Sequence, residues 1–117
     1  MKLFWMIGLC LTTTLIYAQG QQKTAESGYY WVTFADKNNS PYTIDRPQIF
    51  LSERALTRRA KYGIPITEED FPVNPDYLAK IRTLGIKIHH SSRWFNAATV
   101  IAKKKQMEAV EKLPFVN

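Results

Sequence analysis

Cysteine is nearly missing from this 117-residue chain: there is one, Cys10. It lies inside an apolar N-terminal run and follows Leu9, which is too large a neighbour for a lipidated cysteine. Once that run is removed no thiol remains, which excludes disulfides, zinc–thiolate centres and cysteine nucleophiles. A spanning segment is lacking too. Leu3 to Ala18 is apolar apart from Gly8 and Thr12-Thr13-Thr14, but it is short and is followed at once by polar Gln19-Gly20-Gln21-Gln22-Lys23. No internal repeat of solenoid period is present, and no basic stripe of the kind that grips nucleic acid. The 16 basic and 10 acidic residues are interspersed except at Lys103-Lys104-Lys105.

What is present at the N-terminus has the form of a secretory signal: Met1-Lys2 as a positive start, an apolar stretch, then small residues at Ala18 and Gly20. Cleavage is expected after one of these two. Residues 1–20 are read as signal peptide and 21–28 as a flexible leader, with a secreted, periplasmic or cell-surface destination and no stable membrane insertion after cleavage. Losing Lys2 lowers the formal net charge from +6 to about +5. What is left suffices for one small domain with a modest core.

Tyr29 to Phe34 is dense in aromatic and β-branched residues and predicts a strand, closed by the turn formers Asp36 to Pro41. Ser52 is placed to cap a helix over Glu53 to Tyr62 that Gly63 stops. Leu51, Ala55, Leu56 and Ala60 give this helix a narrow apolar stripe. Arg54, Arg58 and Arg59 read as its solvated face rather than an anion or partner site. After a loop through Asp70, Asn74-Pro75 opens a second helix carrying Tyr77, Leu78, Ile81 and Leu84, and Gly85 ends it. Ile86 to His90 alternates as a strand that Ser91 to Phe95 bend or continue. Asn96-Ala97 predicts a turn and Ala98 to Ala102 another strand. Lys103 to Lys112 is helical, with Pro114 as its stop. Phe115-Val116-Asn117 looks like the opening of a further strand.

The order is α+β: a ferredoxin-like βαββαβ sandwich, one antiparallel sheet with helices on one face, plus an extra N-terminal helix and a truncated last strand. The domain, 29–117, is read as incomplete at its C-terminus and the chain as part of a longer one.

His89 and His90, as neighbours on a strand, are expected to point to opposite faces and not to chelate together. Glu68-Glu69-Asp70 lacks the spaced ligands of a calcium loop. Ser91 and Ser92 have no positioned partner. Asn38-x-Ser40 matches a glycosylation acceptor only formally, with Pro41 behind it. No cofactor or metal is expected.

Three stretches carry a family resemblance: Leu78 to Ile88, with its helix ending in Leu84-Gly85; Trp94 to Val100; and Val110 to Val116, with Leu113-Pro114. Together they resemble the inhibitor I9-like prodomain of subtilisin-like (S8) serine peptidases. Upstream, Tyr30 to Phe34, Leu51-Ser52-Glu53-Arg54-Ala55-Leu56, Arg58-Arg59-Ala60 and Gly63-Ile64-Pro65 are similar to secreted S8 peptidases of the Bacteroidetes group. The chain departs from the pattern at Ala97, where such domains often carry glycine, and in the extra helix. It holds none of the family's catalytic sequences, no Asp-Thr/Ser-Gly, His-Gly-Thr or Gly-Thr-Ser-Met, and so no triad of its own. The resemblance implies the prodomain of an exported serine endopeptidase, acting as intramolecular chaperone and inhibitor. Its partner would be its own catalytic domain, which is not in this chain. The alternative is a free-standing exported inhibitor or binding module of the same shape. One ring of Trp94 and Phe95 is expected in the core and the other on the sheet's outer face. With Asn96 they are the candidate protease-docking surface. A domain of this size is expected to be weakly folded without its protease.

Overall fold

The first strand, β1 (Gly28–Thr33), forms because every second residue can be buried while its neighbours face out. A computed structural model describes residues 25–117. The signal peptide, Cys10 and the first part of the leader lie outside the described residues. Beyond β1 the elements are α1 (Glu53–Tyr62), α2 (Pro75–Thr83), β2 (Lys87–Ser92), β3 (Ala97–Ala102) and α3 (Lys104–Val110), with single 3₁₀ turns at Pro47–Ile49 and Glu68–Asp70.

The three strands form one antiparallel sheet in the order β1-β3-β2. Tyr30 faces Val100 and Trp31 faces Thr99 across one ladder; Ile88 faces Val100 and His90 faces Thr99 across the other. The non-sequential order arises because α2 carries the chain over the sheet between β1 and β2. The architecture is the expected α+β one, consistent with a ferredoxin-like propeptide. The final segment contributes one antiparallel bridge, Phe34 to Val116, beside β1. The Ala35 and Asn117 amides donate to the Phe115 and Thr33 carbonyls there.

Helix ends match their sequence signals. The Ser52 hydroxyl accepts from the Ala55 amide, and Gly63 closes α1 at φ +62°, where a side chain would be strained. Asn74 accepts from the Asp76 amide, and Pro75 opens α2. α3 is shorter than expected, ending at Val110, because Glu111 to Pro114 turn back to put Phe115 in the core.

One core holds the sheet to two helices. Val32, Ala98, Val100 and Ala102 of the inward face meet Ile81 of α2 and Met107 and Val110 of α3, with Phe34, Val73, Ile86 and Phe115 around them. Helix α1 takes no part and buries no residue fully. A separate aromatic group outside that core joins Tyr42, Phe50 and Phe71, with Phe50 and Phe71 edge to face at 5.2 Å between ring centres. The segment from Asp36 to Phe71 is thus a side lobe with its own small apolar nucleus.

Candidate functional site

α2 and α3 cover one face of the sheet, no element of the described residues covers the other, and the β alternation decides what stands on it. Tyr30 and Val32 point to the helices; Tyr29 and Trp31 point away and are 69% and 54% exposed. These are large aromatic groups left in water on one face of a small domain.

The turn from Arg93 to Asn96 between β2 and β3 continues this face. Trp94 and Phe95 are 72% and 73% exposed, so neither ring enters the core and the expected division between core and surface does not occur. The core side of the turn is taken by Asn96 instead. Its backbone adopts φ +46°, and its side-chain Nδ2 donates to the Phe34 carbonyl (3.2 Å) and the Asp36 carbonyl (2.9 Å). Asparagine tolerates this left-handed conformation, so the turn needs no glycine at position 97, and Ala97 is free to begin β3 as a buried residue. The Asn96 carbonyl also accepts from the Phe34 amide at 2.8 Å. Of the three predicted docking residues, Trp94 and Phe95 stand outward together, and Asn96 ties the turn to the end of β1.

Phe95 meets Trp31 edge to face at 6.0 Å, joining the turn to the strand face. Tyr29 meets the His89 ring edge to face at 5.3 Å. A β-bulge between Ile88 and His90 breaks the alternation expected for the two histidines, since two residues there oppose one on β3. Both are exposed, and His90 shares the outward register of Thr99 and Trp31. Among the described residues no group of three or more His, Cys, Asp or Glu side chains gathers in metal-binding geometry.

The composition of the stretch from Tyr29 to Phe34 marks a strand, and the outward exposure of Tyr29 and Trp31 lies outside the docking surface expected from sequence. The alternation was the available signal. A second feature had no sequence signal. The Lys37 amine donates to three backbone carbonyls, of Glu69 (2.7 Å), Phe71 (2.7 Å) and Arg93 (3.0 Å). Arg93 reaches back to the Phe50 carbonyl (3.2 Å) and, more loosely, to the Asp70 carbonyl (3.4 Å). Burial pushes the Lys37 amine below the ordinary lysine value; the Arg93 guanidinium adds to this, while Asp70 and Glu69 oppose it. Arg59, read from sequence with Arg54 and Arg58 as solvated, is instead paired with the buried Asp70 carboxylate through both guanidinium ends.

The chain matches the family model "Peptidase S8 propeptide domain, Bacteroidota" over residues 29–117, from the first strand to the last residue. It belongs to that family. No curated protein and no solved structure matches it. As the propeptide domain of a subtilisin-like peptidase, the chain is made to associate with its own S8 catalytic domain. No helix of the described residues is long and apolar enough to cross a membrane.

Proposed function

We propose that this S8 propeptide assists the folding of its subtilisin-like catalytic domain and inhibits it, docking through the outer face of the sheet. Tyr29, Trp31 and Phe95 form the centre of that contact, and Trp94 extends it at the turn. The observation that carries this reading is the contrast between the sheet's two faces: apolar side chains buried against the helices on one, large aromatic rings left exposed on the other. Aromatic residues are enriched among those that dominate binding energy once covered. Export follows the N-terminal signal read over Met1 to Gly20, with the leader from Gln21 to Gly28 joining it to the domain. Nucleic acid is no partner on this reading, because the basic residues are interspersed with acidic ones rather than gathered into a stripe.

The test uses the chain in trans against the mature catalytic domain of the same precursor. The unaltered chain should inhibit peptide hydrolysis and raise the yield of active enzyme on refolding. Combining Trp31→Ala with Phe95→Ala should weaken inhibition about tenfold or more. Absence of inhibition at micromolar excess, together with an unchanged refolding yield, would sink the proposal.

A further inference from the structure

We propose that Lys37 is a positioning residue for protease docking: it clamps the Arg93–Asn96 turn to the side lobe, so that Trp94 and Phe95 are presented in one fixed arrangement. The inference rests on the docking reading above and adds a residue that lies off the aromatic face.

An ammonium group has three N–H donors and no acceptor. At Lys37 each donor has a carbonyl, and the three carbonyls lie in two distant segments: Glu69 and Phe71 at the 3₁₀ turn and its end, and Arg93 at the start of the docking turn. The residue itself follows β1 by only a few positions. One side chain therefore joins the end of the first strand, the side lobe and the docking turn. Arg93 makes the reciprocal tie, from the turn to the Phe50 and Asp70 carbonyls. Asp70 is in turn fixed by Arg59 from helix α1 and by the Thr67 amide, which donates to it at 3.0 Å. The chain of contacts runs from α1 through Asp70 to Arg93 and ends at the exposed rings.

The turn needs such support. Its backbone ties within the hairpin are few: the Asn96 amide reaches the Arg93 carbonyl at 3.4 Å, and the Phe95 amide reaches the Ser92 hydroxyl at 3.4 Å, both long. Trp94 forms no aromatic pair among the described residues and is mostly exposed, at the edge of a cleft it shares with Lys37, Glu68 and Glu69. A mobile turn would have to be ordered on binding, and that ordering reduces affinity; a turn already held avoids the loss. The competent fraction of the free chain scales its apparent affinity directly. This gives the side lobe, with its extra helix, a role in a domain whose main core does not include it.

The test replaces Lys37 with Met, which keeps an apolar stem and removes every donor, and uses the 117-residue chain. Three quantities are read together: inhibition of the catalytic domain, ¹⁵N order parameters of the Trp94 indole and of the 93–96 amides, and hydrogen-exchange protection of β1 and β3. Expected are lower order parameters in the turn, an inhibition constant raised about fivefold or more through slower productive association, and unchanged protection of the sheet. Lys37→Arg, which restores a cation with several donors, should recover most of the affinity. Unchanged inhibition despite a loosened turn overturns the proposal. So does weakened inhibition with the turn still ordered, because Lys37 would then be touching the protease itself.

Should Lys37→Met also strip protection from the sheet, Arg93→Ala serves as the second variant, cutting the reciprocal tie from the other side. It is expected to loosen the turn and weaken inhibition to a smaller degree with the sheet intact. If it too unfolds the sheet, the contacts are part of the fold and not a clamp, and the proposal falls. Failure of the unaltered chain to bind at all would remove the docking reading, and the order parameters alone then decide whether Lys37 fixes the turn.

Discussion

The sheet with α2 and α3, and the side lobe from Asp36 to Phe71, are held by different kinds of interaction. In the first, Ile81, Val100 and Val110 are removed entirely from solvent and the contacts are almost all apolar. In the second, Phe50 and Phe71, packed with Tyr42, are the only well-buried apolar side chains, and beside them stand polar ties: Arg59 with Asp70, Lys37 with three carbonyls, Arg93 with two. Apolar burial is non-directional and tolerates small shifts, whereas these polar ties require each donor to meet its acceptor in a fixed geometry. The lobe is accordingly suited to setting a position and the sheet to supplying stability.

The comparison breaks most severely in the core. Ile81→Ala should cost about 2–5 kcal/mol and, in a domain this small, leave little folded population at 25 °C; urea titration with far-ultraviolet circular dichroism checks it. Asn96→Ala comes next, at about 1–3 kcal/mol, because it removes both side-chain bonds to β1's end and places alanine at a positive φ. Its loss of stability should be accompanied by faster exchange at the Phe34 amide. Asp70→Ala sharpens the contrast. It should free α1 and the 67–70 turn, seen as local amide exchange, while β1 and β3 keep their protection. Loss of sheet protection in that variant would mean that the two regions are one cooperative unit.

A smaller effect depends on pH. Asp36 accepts from the Tyr77 hydroxyl and from the Asn38 amide, and these bonds hold its carboxyl below the ordinary value. The same bond to Asp36 pushes the Tyr77 phenol up. A depressed carboxyl stabilises the fold above the unfolded value, and that contribution is lost as pH falls through the folded one. A raised phenol stabilises it below the unfolded value and loses the contribution as pH rises through the folded one. The pair therefore supports the fold between about pH 4 and pH 10. Tyr77→Phe should flatten the slope of stability against pH below about pH 4, measured by thermal unfolding across a pH series. Smallest of all, Arg54→Ala on the exposed side of α1 should change stability by no more than about 0.5 kcal/mol.

Sequence reasoning reached the apolar region far more fully than the polar one, for a physical reason. Burial imposes periodicity, so α2's spacing of Leu78, Ile81 and Leu84 and β3's small and branched residues were readable, as were the caps at Ser52 and Asn74. Chain stops at Gly63 and Gly85 follow from backbone sterics and were readable too. The lobe's ties carry no period. Nothing local distinguishes Lys37 in a turn from any solvated lysine, or Arg59 from its neighbour Arg58; each depends on which carbonyl or carboxylate the fold brings up from elsewhere in the chain. The outward Trp94 and Phe95 fall between these cases. Their aromatic character pointed to a surface, but the depth at which each ring sits was fixed by Asn96 turning inward, a tertiary consequence of its bonds to Phe34 and Asp36.

The Lys37 contacts also have an unequal tolerance of substitution. All three acceptors are main-chain oxygens, which every amino acid supplies. Positions 69, 71 and 93 can thus change side chain without losing their share of these three bonds, while position 37 must keep a long donor. A saturation scan read for this one contact would show a single intolerant site bound to three permissive ones. Two such chains could then share the same connection with little resemblance around it.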